Sequence, residues 1–220
     1  MTLPLPAHPD LVVDSRLTVW DGRFPLELVR FRNRRFDGAL SGQRTWELWR
    51  RGRAGAVLPY DPAADAVVLI EQFRLPALAA GVDPVMLEVP AGLCDGTESA
   101  EETIRREAAE ETGLTLGRVV PIGDYVLSPG GCDERVALFV GEARAPAADA
   151  AGFAALAGLA DEHEDIRVLV WPAARAIEAA LEGGIANAVT AIALLWLAAR
   201  RPWLRAQWAG GAAPAGQNEI

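Results

Sequence analysis

Apolar and polar residues alternate along the first 50 residues of the chain, most clearly from Leu26 to Arg32. A period of two is typical of strands with one buried face. Three segments fit this pattern: SRLTVWDG, FPLELVRFRNR and TWELW. We therefore predict a small antiparallel β unit over residues 1–50, which is rather small to bury a core by itself.

Beyond residue 50 the chain alternates between apolar strands and helices. AGAVLPYDPAADAVVLIEQF predicts two strands joined by a turn, and the second, Ala66 to Phe73, is apolar on both faces, as central strands are. Further strands are predicted at VMLEVPAG, VVPIGDYVL, ERVALFVGE and IRVLVW, and residues 142–164 predict a loop. Pro172 is expected to open one helix, and Asn187 to cap a last helix from Ala188 to Arg200. Helices that follow strands predict an α/β fold with mixed sheets covered by helices.

The charge of the chain narrows its chemistry. The net charge is −9 and the chain contains no lysine, which excludes Schiff-base catalysis and the lysine-bearing phosphate loop. Residues 1–53 carry ten Arg against six Asp and Glu, whereas the remainder is strongly acidic. Either this is a solvated surface, or the basic part packs on an acidic body, a partner subunit or an anionic ligand. Nucleic-acid binding is disfavoured, because the overall charge opposes a polyanion.

Two cysteines and two histidines, scattered along the chain, do not form a structural zinc site. The start, MTLPLPAHPDL, lacks the basic and apolar regions of a signal peptide. The longest apolar stretch, Ile185 to Ala199, is too short to span a bilayer. We expect a reduced, cytoplasmic protein without a membrane partner. Residues 209–220 are expected to form a disordered tail.

The segment SAEETIRREAAEETGL predicts a short helix with clear ends. Ser99 and Glu102 have the spacing of a capping box, and Gly113 supplies the left-handed residue that ends a helix. Ile104 and Ala108 lie four residues apart, so that both face inward.

Three glutamates of this helix, Glu107, Glu110 and Glu111, lie three and four residues apart on another face. They repel one another, and they lie near the helix end that already carries partial negative charge. Solvation would make them tolerable. The alternative is a divalent cation, since Mg²⁺ favours one or two carboxylates together with phosphate oxygens and water.

The segment before the helix adds further candidates. Gly92 permits a backbone conformation that a side chain would block, and the Ala91 carbonyl could be an additional oxygen ligand. Glu98 could pair with Arg106 and so fix the loop against the helix.

The spacing of these residues resembles the Nudix box at every defined position. The matching residues are Gly92, Glu98, Arg106, Glu107, Ala108, Glu110, Glu111, Gly113 and Leu114. The resemblance implies a Nudix fold, an α/β/α sandwich with mixed sheets, over residues 51–208. It implies hydrolysis of a nucleoside diphosphate linked to another moiety, with Mg²⁺ or Mn²⁺. It also implies that Glu107 and Glu111 bind the metal, that Glu110 assists, and that Glu98 and Arg106 form a structural ion pair.

Pro129, 15 residues after Leu114 in SPGGCDE, has the spacing of the ADP-ribose pyrophosphatase branch of this family. VVLIEQFR, GLADEHEDIRV and IALLWL are also similar to bacterial members. The resemblance implies that ADP-ribose is split into AMP and ribose 5-phosphate. Another nucleoside diphosphate sugar, such as GDP-mannose, is the alternative substrate, and a nucleotide-binding protein without catalysis is a third hypothesis.

The acidic loop DEHED receives roles from the same resemblance. Glu162 is the candidate general base and Glu164 a further metal ligand. His163 is the alternative base on its ordinary pKa alone.

Substrate contacts are also implied. Arg74 could bind the diphosphate or ribose, or could equally be a surface arginine. Glu134 could accept a hydrogen bond from the adenine amino group or a ribose hydroxyl. Phe24 and Trp46 could stack on adenine, although large aromatic residues more often lie in a core or a dimer interface. Family members form dimers in which the N-terminal β unit swaps. Trp46 stands where a relative carries arginine, and Arg23 where it carries an aromatic residue, so the base stays open.

Overall fold

The structure is a computed structural model that describes residues 4–159 and 164–209. The chain divides into two compact units, of which the first comprises residues 1–53 and 125–136 and the second residues 54–124 and 137–220. All but the first residue of the predicted tail lies outside the described residues.

The first unit contains the predicted antiparallel sheet. Its strand order is β1 (Leu11–Trp20), β2 (Leu26–Asn33) and β3 (Arg44–Trp49), and neighbouring strands are antiparallel. Arg16 on β1 donates two hydrogen bonds to the buried carboxylate of Glu27 on β2, at 2.6 and 2.9 Å. This contact pairs a carboxylate that would be costly to bury alone.

The second unit is built on an eight-stranded sheet of order β10–β11–β5–β4–β9–β8, with β6 beside β5 and β7 beside β4. Its strands are β4 (Arg53–Asp61), β5 (Ala66–Phe73), β6 (Val85–Glu88), β7 (Ala91–Leu93), β8 (Val119–Val126), β9 (Arg135–Glu142), β10 (Phe153–Ala157) and β11 (Ile166–Pro172). β5 is antiparallel to β4, β6 and β11. β9 runs parallel to β4, because the Arg135 N–H donates to the Gly52 carbonyl and the Ala143 N–H to the Tyr60 carbonyl, so that residue numbers increase in the same direction along both strands. The sheet is therefore mixed, as predicted.

The described residues also form four helices: α1 (Leu75–Ala79), α2 (Ala100–Thr112), α3 (Ala173–Leu181) and α4 (Ala188–Ala209). The predicted inner face of α2 is correct, because Ile104 and Ala108 are fully buried against Val57 of β4 and Val68 of β5. Among the described residues, no helix has the length and hydrophobicity that a membrane crossing requires.

Three expectations about the elements were wrong. The stretch 142–164 contains strand β10, which is held by antiparallel pairing with β11. VMLEVPAG forms two short strands instead of one. The last helix continues nine residues past Arg200 and through Pro202, because Leu204 and Trp208 are buried beyond it. Arg118 also donates to the Trp208 carbonyl at 2.6 Å, which satisfies a group at the helix end.

Candidate active site

Helix α2 has the ends that its sequence predicts. The Ser99 side chain accepts from the Glu102 backbone N–H, and the Glu102 carboxylate accepts from the Ser99 N–H at 2.8 Å. Gly113 adopts φ 71°, the left-handed conformation that a helix stop requires. These local interactions fix where the helix begins, and so fix which residues reach its carboxylate face.

Arg106 offsets the repulsion among the acidic side chains of α2. Its Nη1 donates to Glu107 at 2.7 Å and to Glu110 at 2.9 Å. Its Nε and Nη2 donate to Glu98 at 3.2 and 3.1 Å, the ion pair predicted from the sequence. Hydrogen bonding from Arg106 lowers the pKa of Glu98 to about 2. One guanidinium thus joins three carboxylates, of which sequence reasoning predicted only Glu98.

Glu111 is not among the carboxylates that Arg106 contacts in the described part of the chain, and it is nearly buried, with 3 % of its surface exposed. The Ala91 N–H donates to its Oε2 at 2.9 Å. Burial raises the pKa of Glu111 to about 8, and the nearby charges of Glu107 and Glu164 act in the same direction. A carboxylate with so raised a pKa is typical of functional sites.

Glu107 is fitted closely against the backbone of β7. A Cβ added to Gly92 would lie 1.6 Å from Glu107 Oε1, so that only glycine leaves room for this side chain. Burial raises the pKa of Glu107, although hydrogen bonding from Arg106 opposes this. Gly92 is not among the glycines with positive φ, so the predicted conformational reason was wrong, and the need for glycine comes from the close approach of a carboxylate.

These groups suit a hard divalent cation. A buried carboxylate with a raised pKa, a second carboxylate fitted against glycine and the nearby Ala91 backbone offer oxygen donors of the kind that Mg²⁺ prefers. Within residues 4–159 and 164–209, no three acidic, histidine or cysteine side chains converge as a metal site, and Arg106 holds both Glu107 and Glu110. The ligand set of Glu107, Glu110, Glu111, Glu164 and Ala91 stays a prediction.

Arg74 lies just after β5 and near these carboxylates. Burial lowers its pKa, but hydrogen bonding to Glu88 and the charges of Glu88, Glu111 and Glu164 outweigh that and raise it. Arg74 Nη2 donates to Glu88 at 2.7 Å. Sequence reasoning missed Glu88, which is 6 % exposed. The only signal was a charged residue directly before the buried Val89-Pro90 segment.

The acidic loop is described only in part. Glu164 accepts from the Leu159 N–H at 3.3 Å, and its charge contributes to the raised pKa of both Glu107 and Glu111. It therefore lies within electrostatic reach of the two predicted metal ligands. Glu162 and His163, the two candidate bases, lie outside the described residues.

The remaining candidates lie in the first unit. Phe24 and Trp46 line one cavity of about 920 Å³, together with Arg23 and Trp49. The Arg51 guanidinium lies over the Phe24 ring, 4.0 Å from its centroid, so that one face of the ring is already in contact with a cation. Trp46 is half exposed and would be available to a ligand.

Glu134 and Pro129 belong to the same unit. Arg51 donates to the Glu134 carboxylate at 3.0 Å. Pro129 is exposed in a turn that the Gly131 N–H closes by donating to the Ser128 carbonyl at 3.2 Å. The turn accounts for the proline structurally, while the role of Glu134 stays a prediction.

Comparison with known proteins places this chain among relatives. A family model described as the NUDIX domain matches residues 49–189. The ADP-ribose pyrophosphatase of Escherichia coli (strain K12) is 42% identical over 200 residues, which are 91% of this chain and 93% of that protein. The chain belongs to the Nudix family.

Two further comparisons bear on this Nudix chain. The GDP-mannose pyrophosphatase of Salmonella arizonae is 35% identical over 188 residues, which are 85% of this chain and 93% of that protein. The crystal structure of an ADP compounds hydrolase matches with a TM-score of 0.65 and 24% identity, covering 92% of this chain and 98% of that chain. At that identity the likeness establishes the fold. Nudix hydrolases generally use divalent metal ions, which agrees with the donors at Glu107 and Glu111.

Proposed function

We propose that this Nudix hydrolase splits the diphosphate of ADP-ribose into AMP and ribose 5-phosphate, with Mg²⁺ as its metal and Mn²⁺ as a substitute. The observation that carries the proposal is the pairing of buried Glu111, whose pKa is raised to about 8, with Glu107 fitted against Gly92. Burial of the Glu111 carboxylate is not explained by folding stability, and both side chains provide oxygen donors for a divalent cation. The relatives named ADP-ribose pyrophosphatase support the choice of substrate.

The metal would be held by Glu107, Glu110, Glu111, Glu164 and the Ala91 carbonyl. A divalent ion bound there supplies charge neutralisation for the diphosphate and lowers the pKa of a coordinated water. For Glu107 and Glu110 to reach it, their contacts with Arg106 at 2.7 and 2.9 Å would have to loosen. The Arg106–Glu98 pair would then keep Arg106 in place.

Other residues of the chain would act on substrate directly. Arg74 lies near Glu111 and Glu164 and would bind the negative charge of the diphosphate. Glu162 would accept the proton of the attacking water, with His163 as the alternative base. A carboxylate base of ordinary pKa is effective only on an acidified water.

A second substrate is favoured by two observations. The Salmonella arizonae relative is named GDP-mannose pyrophosphatase, and the cavity that contains Phe24 and Trp46 also contains Arg23. Guanine offers a carbonyl oxygen that an arginine can bind, whereas adenine does not. Another nucleoside diphosphate sugar is therefore the alternative, with Phe24, Trp46 and Glu134 as proposed contacts of the base or ribose.

A substrate panel tests the proposal. ADP-ribose, GDP-mannose and other nucleoside diphosphate sugars are assayed at equal concentration with Mg²⁺, and products are identified by mass. We expect AMP and ribose 5-phosphate, and a preference for ADP-ribose. Preference for a guanine nucleotide would select the alternative, and tight binding without any product would indicate a non-catalytic nucleotide-binding protein.

Glu111→Gln tests the metal assignment. We expect loss of about 100-fold or more in kcat/KM, since a lost metal-site interaction commonly has this size. Glu101→Gln is the matched control, because Glu101 lies on the same helix but is exposed and bonded to Arg105 at 2.9 Å. Undiminished turnover in Glu111→Gln would remove Glu111 from the metal site.

We also propose that the protein acts as a cytoplasmic homodimer. The three-stranded first unit, which corresponds to the predicted β unit of residues 1–50, would supply dimer and substrate contacts, and residues 51–208 would carry the chemistry. Its basic charge and exposed apolar side chains support this, including Leu17 and Trp20 on β1. Light scattering that shows a monomer at micromolar concentration would contradict the dimer.

A further inference from the structure

Glu88 is a buried carboxylate with three donor residues around it. It ends β6 and is 6 % exposed. Gln72 Nε2 donates to its Oε2 at 3.1 Å, and Asn187 Nδ2 donates to its Oε1 at 3.1 Å. Arg74 adds contacts from Nε at 3.3 and 3.1 Å and from Nη2 at 2.7 Å. A buried charge is tolerated when it is paired and hydrogen-bonded to this degree.

The contact fixes one edge of the Arg74 guanidinium. Nε and Nη2 face Glu88, which leaves the donors of Nη1 outside this contact. The Arg74 side chain is 43 % exposed, whereas Glu88 is buried, so part of the Arg74 side chain is accessible from solvent. Arginine binds diphosphate oxygens best when its planar fork is held in one orientation.

Glu88 also joins three parts of the second unit. Gln72 belongs to β5 and lies opposite Met86 of β6. Asn187 caps α4, because its Oδ1 accepts from the Thr190 N–H at 3.0 Å. Thr190 Oγ1 in turn accepts from the Val89 N–H, directly after Glu88, at 2.9 Å.

The chain after Glu88 leads to the carboxylate cluster. The Pro90 carbonyl accepts from the Val57 N–H at 3.0 Å, and the Ala91 N–H donates to Glu111. Glu88 therefore lies three residues from the backbone that contacts a proposed metal ligand. Glu88 also accepts hydrogen bonds from Arg74, which is close enough to Glu111 for the two charges to interact.

We propose that Glu88 is a positioning residue for the diphosphate. It acts through Arg74, holding the guanidinium so that its second edge meets the two phosphates beside the metal carboxylates. This inference rests on the proposed function, since it assumes a diphosphate substrate. Glu88 itself touches no substrate and transfers no proton.

A double-mutant cycle tests the inference. The variants are Glu88→Gln, Arg74→Ala and both together, and the probe is an ADP-ribose analogue with a methylene bridge between its phosphates, titrated calorimetrically with Mg²⁺. Arg74→Ala should weaken affinity about 10- to 100-fold, as expected for a charged hydrogen bond. Glu88→Gln should weaken it about 3- to 30-fold, and the double variant should match Arg74→Ala within about twofold.

The control is Glu71→Gln on the neighbouring strand. The Glu71 carboxylate pairs with Arg167 at 2.5 Å, whereas Arg74 pairs with Glu88, so affinity should stay within about twofold of the wild type. In turnover assays, Glu88→Gln should raise KM with kcat within about threefold, because Arg74 meets the diphosphate in ground and transition states alike. If Glu88 had a merely structural role, its substitution would lower kcat as well as raise KM. Its loss of affinity would then add to that of Arg74→Ala.

Each outcome decides something. Additive losses, or unchanged affinity in Glu88→Gln, would overturn the positioning role. If Glu88→Gln does not fold, Gln72→Ala takes its place. Gln72→Ala should weaken affinity for the analogue by a smaller factor, and it should have no effect when Arg74 is already replaced by alanine. A wild type that binds the analogue without hydrolysing ADP-ribose would refute the proposed function. The binding affinities of the double-mutant cycle would still test the positioning role of Glu88. A wild type that does not bind the analogue would overturn both.

Discussion

Gly92→Ala separates the fold from the carboxylate site. The added Cβ would lie 1.6 Å from Glu107 Oε1, 2.1 Å from its Cδ and 2.8 Å from its Cγ. All three atoms belong to a flexible side chain, and Gly92 is not among the residues with positive φ. The backbone therefore accepts alanine, and the Glu107 side chain is what must move.

The cost to stability is small. Moving Glu107 removes its hydrogen bond from Arg106 at 2.7 Å, which is worth about 1.5–3 kcal/mol for a charged pair. Replacing glycine by alanine restricts the unfolded chain and returns about 0.4–1 kcal/mol. The net destabilisation is about 0.5–2.6 kcal/mol, which lowers the melting temperature by about 1–10 °C in a chain of this length.

The cost to activity is much larger. A displacement of about 1 Å in a group that positions the reaction can reduce the rate about 100-fold. The assay is Mg²⁺-dependent AMP release from ADP-ribose, with urea unfolding on the same samples. Gly42→Ala is the control, because its added Cβ would meet nothing within 4 Å. Activity within about threefold of wild type in Gly92→Ala would refute the view that Glu107 must lie where it does.

Three further predictions concern stability. The pKa of Glu98 is lowered to about 2 from an ordinary 4.5. Its contribution to folding stability is therefore present above pH 4.5 and is lost as the pH falls towards 2. The urea midpoints of wild type and Glu98→Gln should converge across that pH range. Tyr60→Phe removes a donor to Asp65 at 2.6 Å, and urea unfolding should show a loss of about 1–2 kcal/mol. Leu197→Ala, at a fully buried position, should cost about 2–5 kcal/mol in the same assay, whereas Leu195→Ala, at a 41 % exposed position, should cost under about 0.5 kcal/mol.

Features determined by neighbouring residues could be predicted from the sequence. The capping box and Gly113 give the start and end of α2, because each depends on residues three or four apart. The buried face of β5 could be predicted from its unbroken apolar run. The ion pair of Glu98 with Arg106 was predicted from the charges of the loop and the helix, and the structure contains it.

Features determined by distant partners could not be predicted. FAALA has no strand pattern of its own and becomes β10 by pairing with β11. Proline normally ends a helix, yet α4 continues through Pro202, since burial of Trp208 and its contact with Arg118 depend on the folded sheet.

Glu88 shows the same limit at the site itself. Its donors Arg74, Gln72 and Asn187 lie 14, 16 and 99 residues away. A glutamate at the end of a short strand is usually solvated, and nothing in VMLEVPAG distinguishes a buried one. The sequence therefore predicts candidate groups for the chemistry, whereas the partners that hold a buried group such as Glu88 in place become visible only in the folded structure.

The two kinds of carboxylate on α2 follow from different requirements. Glu107 and Glu110 both accept hydrogen bonds from Arg106, so their repulsion at the helix end has an internal compensation. Glu111 is buried with one backbone donor and a pKa raised to about 8, so its ionised form is destabilised in the folded protein. Stability alone would favour an apolar or amide side chain there. A carboxylate at this position is understandable if a cation binds to it during function. Arg74, which donates a hydrogen bond to Glu88, lies close enough to Glu111 for the two charges to interact.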